Sequence, residues 1–157
     1  MHIDEIMSTH LQICRPEDSL ELAAQKMWEH DIGALPVVAA DGRVTSVITD
    51  RDIAMAAYTR GKALGKIKVS EAMSRRLVTV QLSDDLQVAE ERMRSEQVHR
   101  IPVVDERGFL KGVITLNDLA HHLRVARAAN GATPEEVAGT VAAISVPRST
   151  PSSHRSP

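Results

Sequence analysis

Ser46-Val47-Ile48-Thr49-Asp50-Arg51-Asp52 decides the fold, because Gly112-Val113-Ile114-Thr115-Leu116-Asn117-Asp118 repeats it 66 residues later. Each stretch reads as an apolar strand ending in Thr, with a helix starting at once and an Asp three residues on. Working outward, the same shift lays Met7-Ser8 on Met73-Ser74, and Leu20, Ala23 and Met27 on Leu86, Ala89 and Met93. It also lays Pro36-Val37-Val38 on Pro102-Val103-Val104 and Gly42 on Gly108, without a gap. About a third of the positions from Met7 to Ile53 are identical to their partners, so the chain is an internal duplication.

Each copy predicts the order β-α-β-β-α. Leu11 to Cys14 and Leu77 to Val80 read as short strands. Asp18-Ser19 and Ser83-Asp84-Asp85 are helix-start signals. Leu20, Ala23, Ala24 and Met27 recur at i, i+3, i+4 and i+7, the spacing of an amphipathic helix. Strands from Leu35 to Ala39 and from Ile101 to Asp105 follow, then glycine turns at Asp41-Gly42 and Arg107-Gly108 of the hairpin kind. A unit of roughly 60 residues makes a marginal core alone. The expected fold is therefore α/β (α+β), with two pseudo-twofold-related units, 1–65 and 66–128, packed sheet to sheet. Clefts between packed units are where small ligands bind. Residues 129–157 form a C-terminal extension: Gly131 to Pro134 breaks the helix, Glu135 to Ile144 reads as a short helix, and Pro147 to Pro157 as a disordered tail.

Composition narrows the function. The net charge is −2 and aromatics are 2% of the chain, which argues against a nucleic-acid partner. No stretch approaches a membrane span, and Met1 to Glu5 does not open a secretory signal. The single Cys14 forms no internal disulfide and no cysteine metal cage, which points to the cytoplasm. It has no obvious partner base and reads as a buried strand residue. No nucleophile motif and no metal-ligand spacing is present, and His121-His122 point apart on a helix. The expectation is a non-enzyme without a metal site.

The repeated Thr-x-x-Asp is a capping box at the least. It also has the makings of a ligand site. A helix N-terminus offers free N–H groups to phosphate, and a carboxylate accepts from the two hydroxyls of a ribose. Thr49, Asp52, Thr115 and Asp118 are the candidates. Arg100 is a planar cationic donor suited to phosphate, and His99 can add a donor. The first copy has Gly33-Ala34 at those positions, and Arg51 stands against Asn117, so the two clefts are unequal. Trp28 aligns with Arg94, outside any shared core role, and suits a protein contact.

On the helix with Leu20, Ala23 and Met27, the Ile32-to-Val38 strand entry, the Val47-to-Asp52 junction and Val98-His99-Arg100-Ile101-Pro102-Val103-Val104, the chain resembles a tandem CBS-domain protein. This is the CBS pair or Bateman module, similar to small stand-alone bacterial proteins of the hypoxic-response type. The resemblance covers about residues 3 to 127. It implies an adenosyl ligand, AMP first and then ATP or NAD, with ADP and S-adenosylmethionine among the family's ligands. It places phosphate and ribose on Thr49, Arg51, Asp52, His99, Arg100, Thr115, Asn117 and Asp118. It places the base near Ile13, Pro36, Thr79 and Pro102. It further implies a homodimer through the helices, an unidentified protein partner and a signal-transduction role. Ser46, where the family often has Gly, and the uncharged Gly33-Ala34 weaken the first cleft. The competing reading is an interaction module with empty clefts.

Overall fold

The computed structural model describes residues 2–129 and 134–144. In the first copy α1 spans Leu20–Glu29, and the Ser19 hydroxyl caps it by accepting from the Leu22 N–H at 3.1 Å. Its apolar stripe, Leu20, Ala23 and Met27, is buried. Strands β1 (Ala34–Val38) and β2 (Val44–Thr49) form an antiparallel hairpin with a bulge between Val37 and Val38. Gly42 turns it with φ +89°, a region that favours glycine. Helix α2 (Asp50–Arg60) starts directly at the strand end and stops at Gly61, which is left-handed.

The second copy follows the same plan. Strand β3 is Val80–Gln81, α3 is Leu86–Glu96, β4 is Arg100–Val104, β5 is Leu110–Thr115 and α4 is Leu116–Ala129. Every cross-strand pair of β1 with β2 recurs between β4 and β5 at the 66-residue shift, bulge included.

The expected strand Leu11 to Cys14 is reduced to one parallel bridge. Cys14 N–H donates to the Pro36 carbonyl at 3.1 Å, and Val38 N–H donates to the Cys14 carbonyl at 2.9 Å. Pro16 has no N–H to continue the ladder, whereas its counterpart Leu82 donates to the Val104 carbonyl at 3.0 Å, so the pairing stops at Cys14. In the second copy Gln81 stays in the ladder, and the strand is Val80–Gln81 rather than Leu77 to Val80. Helix α5 spans Pro134–Ile144, with Pro134 as its first residue. It packs on α3 and α4. The expected break loses Pro134 to this helix; its other residues and the tail from Pro147 lie outside the described residues.

The core has three parts. One cluster gathers Cys14, Leu20, Ala23, Met27, Leu35, Val37 and Ile48 with Ile67 and Val69. A second gathers Val80, Leu86, Ala89, Met93, Ile101 and Ile114 with Ile3. A third lies at the seam and mixes the copies: Val38 and Val44 meet Val104, with Ile13 and Leu110 against them. Arg43 bridges Phe109 there, and Val44 N–H donates to the Gly108 carbonyl at 3.1 Å. The units therefore pack sheet to sheet.

The lead-in segments are exchanged. Ile3 belongs to the second unit's core, and its N–H donates to the Asp84 carbonyl at 3.2 Å. Val69 belongs to the first unit's core, and its N–H donates to the Asp18 carbonyl at 2.8 Å. Likewise Ser8 N–H donates to the Val113 carbonyl, and Ser74 N–H to the Val47 carbonyl. Each bond maps onto its partner by the 66-residue shift. Each unit thus completes its core with the chain that leads into the other.

Candidate functional site

Both strand-to-helix junctions are formed as the spacing predicts. Thr49 Oγ1 accepts from the Asp52 N–H at 3.1 Å, and Asp52 Oδ2 accepts from the Thr49 N–H at 2.9 Å. Thr115 Oγ1 accepts from the Asp118 N–H at 3.2 Å, and Asp118 Oδ2 accepts from the Thr115 N–H at 2.8 Å. Each pair closes the reciprocal bonds of a capping box.

The two Thr-Asp pairs differ in one bond. Thr115 Oγ1 also donates to Asp118 Oδ2 at 2.7 Å. Among the described residues the Thr49 hydroxyl donates to no acceptor and Asp52 Oδ1 has no hydrogen-bond partner. The first junction therefore keeps a hydroxyl donor and a carboxylate oxygen available to a ligand. The second junction has spent its hydroxyl proton.

The charge asymmetry also resolves in favour of the first junction. Arg100 starts β4, yet its guanidinium reaches across the seam. Arg100 Nη1 lies 3.5 Å from the point where a Cβ on Gly33 would sit, and Asp50 Oδ2 lies 3.0 Å from the same point. The cation in the second copy thus lies beside the first copy's junction, in the room that Gly33 leaves. The uncharged Gly33-Ala34 does not strip the first cleft of charge, as reading each copy in isolation implied. Arg51 is exposed beside this junction, as are His99 and Asn117 at their own places.

Pro36 and Pro102 are buried and face each other across the pseudo-twofold axis. With Ala34, Val47, Arg100 and Val113 they line a crevice of about 30 Å³. These six residues are three pairs related by the 66-residue shift. The crevice has room for about one water, not for a base. Ile13 is half-buried against the seam cluster, and Thr79 is half-buried beside Val80, which pairs with Val103. The structure thus sets Ile13 near Pro36 and Thr79 near Pro102, as two flanks of one seam.

A larger, open cavity, about 370 Å³, lies beside the first junction. Met27, Trp28, Asp31, Ile32, Gly33 and Asp50 line it. The sequence signal for it was present in the mismatch of Trp28 with Arg94, which points to a feature that only one copy has.

Ser46 is fully buried, and its hydroxyl donates to the Ser74 carbonyl at 2.5 Å. The Ser in place of Gly is thus a structural contact with the exchanged segment and does not enter the cleft. Cys14 is buried, and burial, reinforced by the Asp18 carboxylate and opposed by Lys26, pushes its thiol up to about 12. That suits a packing residue and not a nucleophile.

Among the described residues no group of three or more His, Cys, Asp or Glu is placed to hold a metal ion. No described helix is long and apolar enough to cross a membrane.

Comparison with known proteins agrees with this architecture. The chain is 36% identical over 118 residues to the CBS domain-containing protein YhcV of Bacillus subtilis, covering 75% of this chain and 82% of that protein. It is 34% identical over 119 residues to Hypoxic response protein 1 of Mycobacterium tuberculosis, covering 76% and 82%. The crystal structure of Hypoxic Response Protein I, solved with two coordinated zinc ions, superposes with a TM-score of 0.72 at 32% identity, covering 78% of this chain and 99% of that one. The CBS domain pair of protein MJ0100, solved with 5′-methylthioadenosine and S-adenosyl-L-methionine, superposes equally well, with a TM-score of 0.72 over 80% and 98% of the two chains. At 24% identity it speaks for the fold alone. The CBS-domain family model matches residues 3–58 and 69–125, one match for each copy, and the chain belongs to the CBS-domain family.

Proposed function

We propose that this chain is a regulatory protein that binds an adenine nucleotide at the seam between its two CBS units and signals by a change of shape or assembly. AMP is the first candidate, then ATP or NAD. The observation that carries the reading is the convergence of Arg100 from one unit on the Thr49-Asp50-Arg51-Asp52 junction of the other. That arrangement offers a guanidinium and the positive end of the α2 dipole to phosphate, a free hydroxyl beside them, and a carboxylate oxygen to a ribose.

In this reading Thr49, Arg51, Asp52 and Arg100 form the principal site, and the base reaches Ile13 and Pro36 as the crevice between Pro36 and Pro102 widens on binding. The exposed Asp50 carboxylate near Arg100 favours one phosphate over three, since each added phosphate brings like charge toward it. Thr115, Asn117, Asp118 and His99 form the weaker second site, with Thr79 and Pro102. The MJ0100 pair, with its adenosyl ligands, supports this class of ligand for the fold. The same reading includes a homodimer, an unidentified protein partner and a cytoplasmic setting. Met55 and Tyr58, exposed on α2, supply a surface for assembly.

A second reading, an interaction module with empty clefts, is favoured at the second junction by the commitment of the Thr115 hydroxyl to Asp118. A ligand acts only through unequal affinity for two states. The deciding experiment is a thermal-shift panel on the purified full chain with AMP, ADP, ATP, NAD, NADH and S-adenosylmethionine. A ligand at ~100 times its Kd adds about 2.7 kcal/mol, several degrees for a domain this size. A shift with one of them supports the nucleotide reading. A flat panel on nucleotide-free folded protein refutes it and leaves the interaction module.

A further inference from the structure

We propose that the 370 Å³ cavity beside the first junction is a second binding site, for a small organic cation of the ammonium or guanidinium type. The duplicated chain supplies its own comparison. Trp28, Asp31, Gly33 and Asp50 line the cavity; the 66-residue shift puts Arg94, Gln97, His99 and Leu116 at the same places in the second copy. Both copies turn through a left-handed residue at this place, Asp31 (φ +51°) and Gln97 (φ +53°). The chemistry differs, and all four differences act in one direction. An aromatic ring replaces a cation, two carboxylates replace neutral side chains, and a missing side chain opens space.

Each part suits a cation for a physical reason. The Trp28 ring is 88% exposed, so its face is available. Indole is the best aromatic surface for a cation. Met27 and Trp28 lie in the last turn of α1, at the negative end of the helix dipole. Asp31 adds a full negative charge at the mouth. Asp50 adds a second, partly offset by Arg100 on its inner side, near Gly33. The cavity is of the size that takes a small molecule.

The site adjoins the nucleotide junction and shares Asp50 with it, so it is tested without nucleotide. Trp28 is the chain's single tryptophan, and its fluorescence reports on this place alone. The full chain is titrated with tetramethylammonium, with tert-butanol as a neutral molecule of similar shape, and with N-acetyl-arginine amide as a stand-in for a protein side chain. Calorimetry with the same three probes runs alongside. Asp31→Asn tests the charge while Asn keeps the left-handed backbone.

The expected result is a saturable response to tetramethylammonium, none to tert-butanol, and about ten-fold weaker binding in D31N. The AMP thermal shift of D31N should match that of the parent, whatever that shift is. Silence in both fluorescence and calorimetry overturns the proposal. So does an equal response to tert-butanol, or binding unchanged in D31N. A response to N-acetyl-arginine amide alone, weakened in D31N, also supports the proposal, with a guanidinium as the bound cation.

Discussion

Thr115 Oγ1 donates to Asp118 Oδ2 at 2.7 Å, and among the described residues Thr49 makes no such bond to Asp52. One hydroxyl proton thus separates the two junctions in addition to Asp50 and Arg51 standing against Leu116 and Asn117. Together with the reach of Arg100 to Gly33, it ranks the first junction above the second. Asp52→Asn and Asp118→Asn keep an oxygen for the capping bond while removing the charge. In calorimetric titrations with AMP, D52N and R100Q are expected to weaken binding at least about ten-fold, the size of one charge-assisted hydrogen bond. D118N is expected to change it less than about two-fold. Equal losses in D52N and D118N would show that the clefts are equivalent.

The exchange of lead-in segments predicts where stability resides. Ile3 is fully buried in the second unit's core, although it stands at the start of the chain. Ile3→Ala should cost about 2–5 kcal/mol, as a core truncation and not as a surface change. Urea unfolding checks this, and the loss should appear in the midpoint without a change of slope. A cost below about 0.5 kcal/mol would show that the segment does not dock.

This exchange was not legible in the sequence, and the reason is geometric. A repeat announces which residues are equivalent, so the pairing of Thr49 with Thr115 and Asp52 with Asp118 could be read directly. The helices could also be read, because Leu20, Ala23 and Met27 carry a local period. Contacts between copies carry no period. Ile3 and Val69 look the same whether each packs on its own unit or on the other. Arg100 was legible as a phosphate group, but the junction it serves is fixed only by the seam. The first strand failed for a local reason: Pro16 lacks the N–H that Leu82 donates to the Val104 carbonyl at the same place in the second copy, and the pairing ends at Cys14.

Ser46 and Gly112 occupy equivalent places with opposite tolerances. The Ser46 hydroxyl uses its space to donate to the Ser74 carbonyl. A Cβ on Gly112 would lie 2.9 Å from Met7 Cγ and 3.0 Å from the Ser8 carbonyl oxygen, a backbone atom that cannot swing aside. Gly112→Ser should therefore destabilise by about 1–3 kcal/mol, as overpacking does. Ser46→Gly should cost about 1 kcal/mol for the lost bond, with some added backbone freedom. Thermal unfolding of the two variants checks the order. A G112S variant as stable as the parent would mean that the Met7-Ser8 segment moves away at little cost.

Cys14 makes a prediction about pH. Burial raises its thiol from 9.0 to about 12, with Asp18 adding to the effect. In the unfolded chain the thiol ionises near its ordinary value, while the folded chain holds the proton. Between about pH 9 and pH 12 the folded state therefore binds more protons, and stability falls as pH rises through that window. Below it the thiol is protonated in both states and contributes no slope. Cys14→Ala removes the group, so its unfolding midpoint should decline less steeply above pH 9 than the parent's, from a lower starting value because a buried side chain is truncated. At neutral pH the parent thiol should resist alkylation in the native state and react once urea unfolds the chain. Rapid native-state labelling would show that the Cys14–Val37 bridge opens, and with it the sheet edge that flanks Ile13.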